Sequence, residues 1–497
     1  MAISIAELME QSGVKFGTSG ARGLADSITD RVAYAYTLGF LKHLEQRFGE
    51  PRRKVVAIAG DLRPSTPRIV HACATAASDG GYDVHYGGEV PSPAVALYGI
   101  TRQIPSIMVT GSHIPDDRNG IKFNRADGEI DKHDEAGMRQ TTVELDEALF
   151  DEHGNLKRQL ALTANQDVER EYRARFVDTF GPTALEGYSI GVYQHSTVGR
   201  DLIVSVLGAL GAKVTPLGRA STFIPVDTEA VRPEDVALAR QWAKEAAANG
   251  NPLHAIVSAD GDCDRPLIAD EHGEWLRGDI VGVLCARFLG ATAVATPVSC
   301  NTAVERCSVF AEVKRTRIGS PFVIEFMQKL QADGHDVVVG YEANGGFLQQ
   351  SPLTYQGKVL PALPTRDALL PIIAVLLASK SSGEPLSRLV TNLASRFTAS
   401  DRIKDYATER SQSLLTRLTP ASDTDAPFAE LEQFLGDLCG RVENVDLTDG
   451  LRVTFHTQEV VHLRPSGNAP ELRCYSEADT NDRAAELVRL VLARIVG

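Results

Sequence analysis

Residues 110–124 read Thr-Gly-Ser-His-Ile-Pro-Asp-Asp-Arg-Asn-Gly-Ile-Lys-Phe-Asn, and Ser112 is the group among them able to attack an electrophile. The short apolar run Ile107-Met108-Val109 delivers that serine into a turn built from Gly111, Pro115 and Asn119-Gly120. A strand ending in such a turn exposes its polar side chain at the sheet edge, where α/β proteins place their chemistry. His113 follows at once and Lys122 lies ten residues beyond Ser112. A nucleophilic hydroxyl, a proton-transfer group and a cation for an oxyanion can therefore converge at one place. Taken alone, the segment reads equally well as an ordinary surface turn.

A second cluster is Asp260-Gly261-Asp262-Cys263-Asp264-Arg265. Three carboxylates at alternate positions aim hard oxygen ligands at one divalent cation, which suits magnesium better than a thiolate-seeking metal. Without a cation the grouping is costly, because close like charges oppose one another's ionisation. The run follows Leu253-His254-Ala255-Ile256-Val257, a strand by composition, so it too sits at a strand's carboxyl end. A solvated acidic turn is the plain alternative. A calcium hand is the other, since Glu271 falls at the twelfth position from Asp260; it fails because Arg265 replaces the glycine that loop needs and Pro266 follows.

The third cluster is Arg464-Pro465-Ser466-Gly467-Asn468-Ala469-Pro470-Glu471-Leu472-Arg473, preceded by the strand-like run Val460-Val461-His462-Leu463. Ser466 and Asn468 supply neutral donors, Gly467 lets the backbone come close, and two arginines can fork onto phosphate oxygens.

In this order the three segments resemble the α-D-phosphohexomutase superfamily, the phosphoglucomutase and phosphomannomutase enzymes. The resemblance rests on a Thr-Gly-Ser-His-x-Pro serine loop, an Asp-Gly-Asp-x-Asp-Arg metal loop and an Arg-Pro-Ser-Gly phosphate loop. Two more segments join it: Gly340-Tyr341-Glu342-Ala343-Asn344-Gly345-Gly346, similar to the family's sugar loop, and Phe16-Gly17-Thr18-Ser19-Gly20-Ala21-Arg22-Gly23, similar to its opening segment. The match runs from about residue 14 to 476. Asn468 and Ala469 depart from the usual Thr and Glu, Asn344 from Ser, and Gly346 from His. The wording of the serine and sugar loops is most similar to bacterial phosphomannomutases.

That resemblance implies exchange of phosphate between the 6- and 1-positions of a hexose phosphate, through a phosphoserine at Ser112 and a bisphosphorylated sugar. It implies Mg2+ held by Asp260, Asp262, Asp264 and the phosphate on Ser112, with sugar 1,6-bisphosphate as activator. Arg22, His113 and Lys122 join Ser112 as catalytic candidates, His113 or Lys122 as the base. Thr18, Ser19, Arg265, Arg317, Gly340, Glu342, Asn344, Arg464, Ser466, Gly467, Asn468 and Arg473 are the expected substrate contacts. Phosphoglucomutase or dual specificity is the alternative; a metal-dependent sugar phosphatase and a non-catalytic sugar-phosphate sensor are the rivals.

At 497 residues the chain is too long for one core. A formal net charge of −14 argues against a general nucleic-acid or anionic-membrane binder, so cations for an anionic sugar phosphate must be concentrated locally. Seven cysteines with no Cys-x-x-Cys pair read as reduced thiols, with Cys263 as a small space-filling residue. The opening residues carry no basic segment followed by a long apolar one, and the cytoplasm is the expected location.

Alternating α/β patterns run through most of the chain. Asp30 is the expected cap of a helix reaching Phe48; Val55–Ala59 and Asp83–Tyr86 read as strands, and Ser65 or Thr66 caps the helix between them. The pattern repeats with the strand Ser189–Tyr193, a helix from near Thr197, and the strand Asp336–Val339 running into Gly340. Residues 381–385, Ser-Ser-Gly-Glu-Pro, read as a linker to a domain of different composition. The expected organisation is an α/β class fold. It has three similar mixed α/β domains in series (1–155, 156–268, 269–383) and a smaller α+β domain (384–497), arranged around a central cleft.

Overall fold

Among the described residues of the computed structural model, three of the four sheets with more than two strands share one strand order, although the sequence shows no repeat. The structure describes residues 1–17, 20–393, 396–419, 428–466 and 470–497. In the first sheet Val55–Gly60 runs parallel to Asp83–Glu89 on one side and to Ser106–Val109 on the other, and Arg118–Arg125 closes antiparallel on Ser106–Val109. In the second, Ser189–His195 lies between Lys213–Arg219 and Ala255–Ala259, all parallel, with Pro266–Ala269 antiparallel. In the third, Ala293–Pro297 lies between Glu312–Thr316 and Val338–Tyr341, with Phe347–Gln349 antiparallel. Each is a 2-1-3-4 sheet whose fourth strand doubles back.

The chemistry follows from that topology. The serine loop, the acidic loop and the sugar loop each join the third strand to the fourth, so each leaves the carboxyl end of a parallel strand. The strands form because their residues are β-branched or small and apolar: Val55–Gly60 is buried on both faces beyond its first residue, as is Ala255–Ala259. The fourth sheet differs. Its five strands, in the order Phe397–Ile403, Leu472–Ala478, Val460–Pro465, Leu451–Phe455, Val442–Asp446, are all antiparallel.

One buried cluster runs from Ala57 and Met108 of the first sheet through Tyr172, Val257 and Val339 to Leu393. The fourth sheet packs on its own core, with Leu431, Phe455, Leu487 and Val491. Its links to the third unit include polar ones: Asn301 Nδ2 donates to the Arg396 carbonyl at 2.9 Å, and the Ile318 amide to Asp449 Oδ2 at 2.9 Å.

Several local expectations change. Thr29, not Asp30, caps the helix Asp30–Phe48, accepting from the Val32 amide; Asp30 is the first helical residue and binds Arg68. Ser65 sits at the cap position of Thr66–Asp79 but makes no side-chain cap bond. The helix expected from Thr197 begins at Arg200. Residues 381–385 are no linker. They turn the helix Leu369–Ser382 through 88° into Leu386–Asn392, with Gly383 left-handed at φ 71°. Ser379 Oγ bonds the Glu384 carbonyl and Leu386 is fully buried, so the corner is pinned to the main core. Among the described residues no single helix is long and apolar enough to cross a membrane.

Candidate active site

Ser112 is fully buried and its backbone is left-handed, φ 58°. A non-glycine residue held there costs roughly 1 kcal/mol or more and needs surrounding bonds to fix it. They are present. The Ser112 amide donates to Thr110 Oγ1 at 2.7 Å, and Thr110 Oγ1 donates to Asp61 Oδ2 at 2.7 Å. Asp61 also takes Arg63 Nε at 3.1 Å. The Arg63 guanidinium, 1% exposed, then donates to the carbonyls of Ser112, Ile114, Pro115 and Arg118. This one arginine gathers the whole serine loop and stacks on Phe223 of the second unit at 4.1 Å.

Ser112 Oγ donates to Asp260 Oδ2 at 2.7 Å. One oxygen from each of Asp260, Asp262 and Asp264 lies within 4.8 Å of the others, and all three residues are buried. Asp262 Oδ1 and Asp264 Oδ1 are buried without a hydrogen-bond partner. Orphaned hard oxygens in a triad of this size fit a divalent cation. Lys122 Nζ meets the other oxygens, 2.5 Å from Asp262 Oδ2 and 2.6 Å from Asp264 Oδ2, and Ser92 Oγ donates to Asp262 Oδ2 at 2.5 Å. Burial, then the charges of Asp262 and Asp264, push the Asp260 carboxyl well above the usual range. For Asp262 and Asp264 burial acts in the same direction but is outweighed: Lys122 holds Asp262 down, and Arg366 with Lys122 and Arg265 holds Asp264 down.

The two expected bases are otherwise engaged. His113 Nδ1 is 3.4 Å from Ser112 Oγ but 2.8 Å from Arg265 Nη1, which can only donate, so Nδ1 is the accepting nitrogen of a neutral ring. Burial, with Arg265 and Arg22 beside it, brings the His113 pKa down to about 2. The atom that accepts the Ser112 hydrogen is Asp260 Oδ2. Arg22 lies on Gly20–Leu24, the strand paired with the Lys122 strand. Burial, then repulsion from Arg265 and Arg366, draws its pKa down to about 10. Reaction-centre cations are thus packed closely enough to oppose one another, as expected of a place built for an anion.

The sugar loop begins beyond Gly340, which lies inside Val338–Tyr341 and packs under Val323 and Met327 rather than in the loop. Glu342 is 4% exposed, its carboxyl raised by burial. Asn344 Oδ1 accepts from the Gly346 amide at 2.9 Å, so that oxygen shapes the turn. Arg464 and Arg473 are directly opposite in the register of Val460–Pro465 and Leu472–Ala478. Like charges in that position repel unless an anion joins them. Arg464 Nε reaches Asp449 Oδ1 at 3.0 Å, and Arg473 Nε is buried without a partner. The Ile318 amide bonds the other oxygen of Asp449, which ties the Arg317 segment to this strand pair; Arg317 itself is exposed, over Phe322 at 4.8 Å. Ser466 is nearly buried, its amide bonded to the Glu471 carbonyl. Thr18, Ser19, Gly467 and Asn468 lie outside the described residues.

Models of the phosphoglucomutase/phosphomannomutase family match three stretches of the chain: alpha/beta/alpha domain I over residues 13–148, alpha/beta/alpha domain III over 277–397 and the C-terminal domain over 416–494. A protein of Salmonella muenchen named phosphomannomutase is 44% identical over 490 residues, covering 98% of this chain and 97% of that protein. The chain belongs to the phosphoglucomutase/phosphomannomutase family. A second relative, the phosphomannomutase of Sinorhizobium fredii strain NBRC 101917 / NGR234, is 42% identical over 97% of this chain and 98% of its own. A solved family structure from Burkholderia thailandensis overlays with a TM-score of 0.72 at 19% identity, covering 99% of this chain and 97% of that one, and so shares the fold.

Membership in the α-D-phosphohexomutase superfamily, the mixed α/β fold with its C-terminal domain, and phosphohexomutase activity agree with the sequence reading. Several residues of the site escaped it: Asp61, Arg63, Ser92, Glu129 and Arg366. Asp61 and Arg63 carried one signal, a charged pair at the carboxyl end of the apolar strand Val55–Gly60. The other three carried none.

Proposed function

We propose that this protein interconverts mannose 6-phosphate and mannose 1-phosphate through a phosphoserine at Ser112 and a bisphosphorylated sugar intermediate. The observation that carries the reading is the 2.7 Å hydrogen bond from Ser112 Oγ to Asp260 Oδ2, which joins a nucleophile on one sheet to a metal-fitting triad on the next. Two relatives named phosphomannomutase, similar over nearly their whole lengths, support mannose as the sugar.

Asp260, Asp262, Asp264 and the phosphate on Ser112 would hold Mg2+. When bound, the ion neutralises charge on the phosphoryl group in transfer. The chain's own residues do the rest. The sugar's free hydroxyl attacks the phosphoryl group on Ser112; the Oγ–P bond breaks as the new O–P bond forms, the hydroxyl's proton ends on Ser112 Oγ, and Arg22, Lys122 and Arg265 stabilise the negative oxygens. The bisphosphorylated sugar turns over within the cleft, and its other phosphate returns to Ser112: the new Oγ–P bond forms as the sugar O–P bond breaks, and the serine's proton ends on the released sugar oxygen. Arg464 and Arg473 hold the non-reacting phosphate, which a simple phosphatase would not need. Glu342 and Asn344 recognise the ring in both orientations. Closure of the C-terminal unit excludes water that would otherwise hydrolyse the phosphoserine. A sugar 1,6-bisphosphate activates the enzyme by loading Ser112.

The test is a side-by-side assay of mannose 1-phosphate and glucose 1-phosphate, with free phosphate measured in the same samples. Formation of mannose 6-phosphate without phosphate release is expected. Comparable rates on both sugars would mark the dual-specificity alternative, and phosphate release without isomer would overturn the mutase reading.

A further inference from the structure

Arg366 sits on the strand Leu363–Asp367 and is 2% exposed. Its guanidinium faces three carboxylates that belong to three different sheets or their loops. Nε is 3.3 Å from Asp264 Oδ2 of the acidic loop and 3.8 Å from Glu129 Oε1 beside the first sheet. Nη1 is 3.7 Å from Glu342 Oε2 of the sugar loop. Glu129, 7% exposed, is held in place, accepting from Thr365 Oγ1 at 2.8 Å and from Ser320 Oγ at 2.9 Å. Residue 346 must leave space for this arginine. A Cβ at Gly346 would lie 2.9 Å from both Cγ and Cδ of Arg366.

Carboxylates gathered in a dry site need a shared counter-charge, and a planar fork fixes their spacing where a point charge would not. The acidic loop and the sugar loop share no backbone ladder, because they belong to separate sheets. The sugar loop packs on Pro266, just beyond the acidic loop, and on Gly278, and side chains complete the link: Arg366 is within 4 Å of a carboxylate on each loop.

We propose that Arg366 is a positioning residue that sets the distance between the divalent-cation loop and the sugar loop, anchored to the first domain through Glu129. The proposal rests on the mutase reading of the site. Loss of the fork should loosen both functions together, cation affinity through Asp264 and sugar affinity through Glu342. Partners of this kind behind metal ligands are commonly worth about 10-fold or more in metal affinity.

The experiment compares full-length wild type, Arg366→Lys and Gly346→Ala. Mn2+ binding is measured by calorimetry, KM and kcat with mannose 1-phosphate, and folding by thermal melting. Arg366→Lys keeps the charge and loses the fork; its Mn2+ dissociation constant and its KM are both expected to rise about 10-fold. Gly346→Ala keeps the arginine but pushes its stem aside, and should move both constants in the same direction by a smaller factor. A purely structural role predicts a lowered melting temperature with Mn2+ affinity and KM within twofold of wild type. That result overturns the proposal, and the Mn2+ constant of Gly346→Ala decides it if Arg366→Lys does not fold, since a Cβ at 346 also presses on Asn344 Oδ1. A wild type that binds Mn2+ but isomerises no sugar would overturn the mutase reading instead, with the Mn2+ measurements still deciding the role of Arg366.

Discussion

Gly261 and Ser112 touch through their backbones: a Cβ on Gly261 would lie 2.5 Å from the Ser112 carbonyl oxygen. The loop that carries the triad and the loop that carries the nucleophile are therefore as close as two chains can come, and only glycine permits it. Gly261→Ala should part the loops by a fraction of an ångström. Since a misplacement of about 1 Å at a reacting centre costs about 100-fold, kcat/KM should fall by one to two orders of magnitude. Steady-state assay with a thermal melt checks this; a variant as active as wild type would show that the contact is not needed.

Ser112→Ala removes the hydroxyl while leaving both loops in place. Turnover should drop by roughly 1000-fold or more. Intact mass after incubation with a sugar 1,6-bisphosphate should show one added phosphoryl group on wild type and none on the variant. Labelling of the variant would move the phosphate to another residue.

Arg63 and Asp61 are an ion pair with both side chains fully buried. Removing one partner of such a pair strands the other, at a cost of about 3–5 kcal/mol. Arg63→Met should lower the denaturation midpoint accordingly, and the double variant with Asp61→Asn should recover part of the loss. An Arg63→Met protein as stable as wild type would show that the four carbonyls it gathers are held by other means.

Arg473 should act on binding before chemistry. A charge-assisted bond to phosphate is worth about 1.5–3 kcal/mol, so Arg473→Ala should raise KM about 10-fold or more, with a smaller change in kcat. The variant also relieves the cross-strand repulsion with Arg464, so its melting temperature should not fall. A lowered kcat at constant KM would instead assign Arg473 to the transfer step.

Two buried histidines set a pH dependence of stability. His195 Nε2 donates to the Ala259 carbonyl at 2.8 Å and His462 Nε2 to the Asp449 carbonyl at 2.6 Å, while the Nδ1 of each is buried without a partner. Burial brings both pKa values down to about 4. Below the unfolded value of about 6.5 the unfolded chain binds protons that the native state refuses, so stability falls as the pH drops from about 6.5 toward 4. By pH 5 each site should cost about 2 kcal/mol. His195→Gln, which keeps a donor and cannot titrate, should lose less stability than wild type between pH 7 and pH 5 in denaturant titrations; equal losses would show that His195 titrates alike folded and unfolded.

The sequence alone determined the parts of the site that consecutive residues encode. Ser112 with its turn, the triad Asp260, Asp262 and Asp264, and the Arg464 to Arg473 segment were legible because a loop must carry its donors and its glycine at fixed spacing. The strand readings at Val55–Ala59 and Leu253–Val257 were possible because a doubly buried strand is mostly apolar along its length, as in Val55–Gly60 and Ala255–Ala259.

The tertiary structure alone decided what meets across the chain. Three sheets share one topology with no sequence period, since any apolar residues of fitting volume satisfy such a core. Arg63 clamps a loop some fifty residues away, and Arg366 faces carboxylates more than two hundred residues distant in Glu129 and about a hundred in Asp264. The Ser112 hydroxyl, expected beside His113 and Lys122, donates to Asp260, while Arg265 takes the His113 nitrogen and the other two aspartates take the lysine. Charges find partners by distance in space, and no local spacing records that distance.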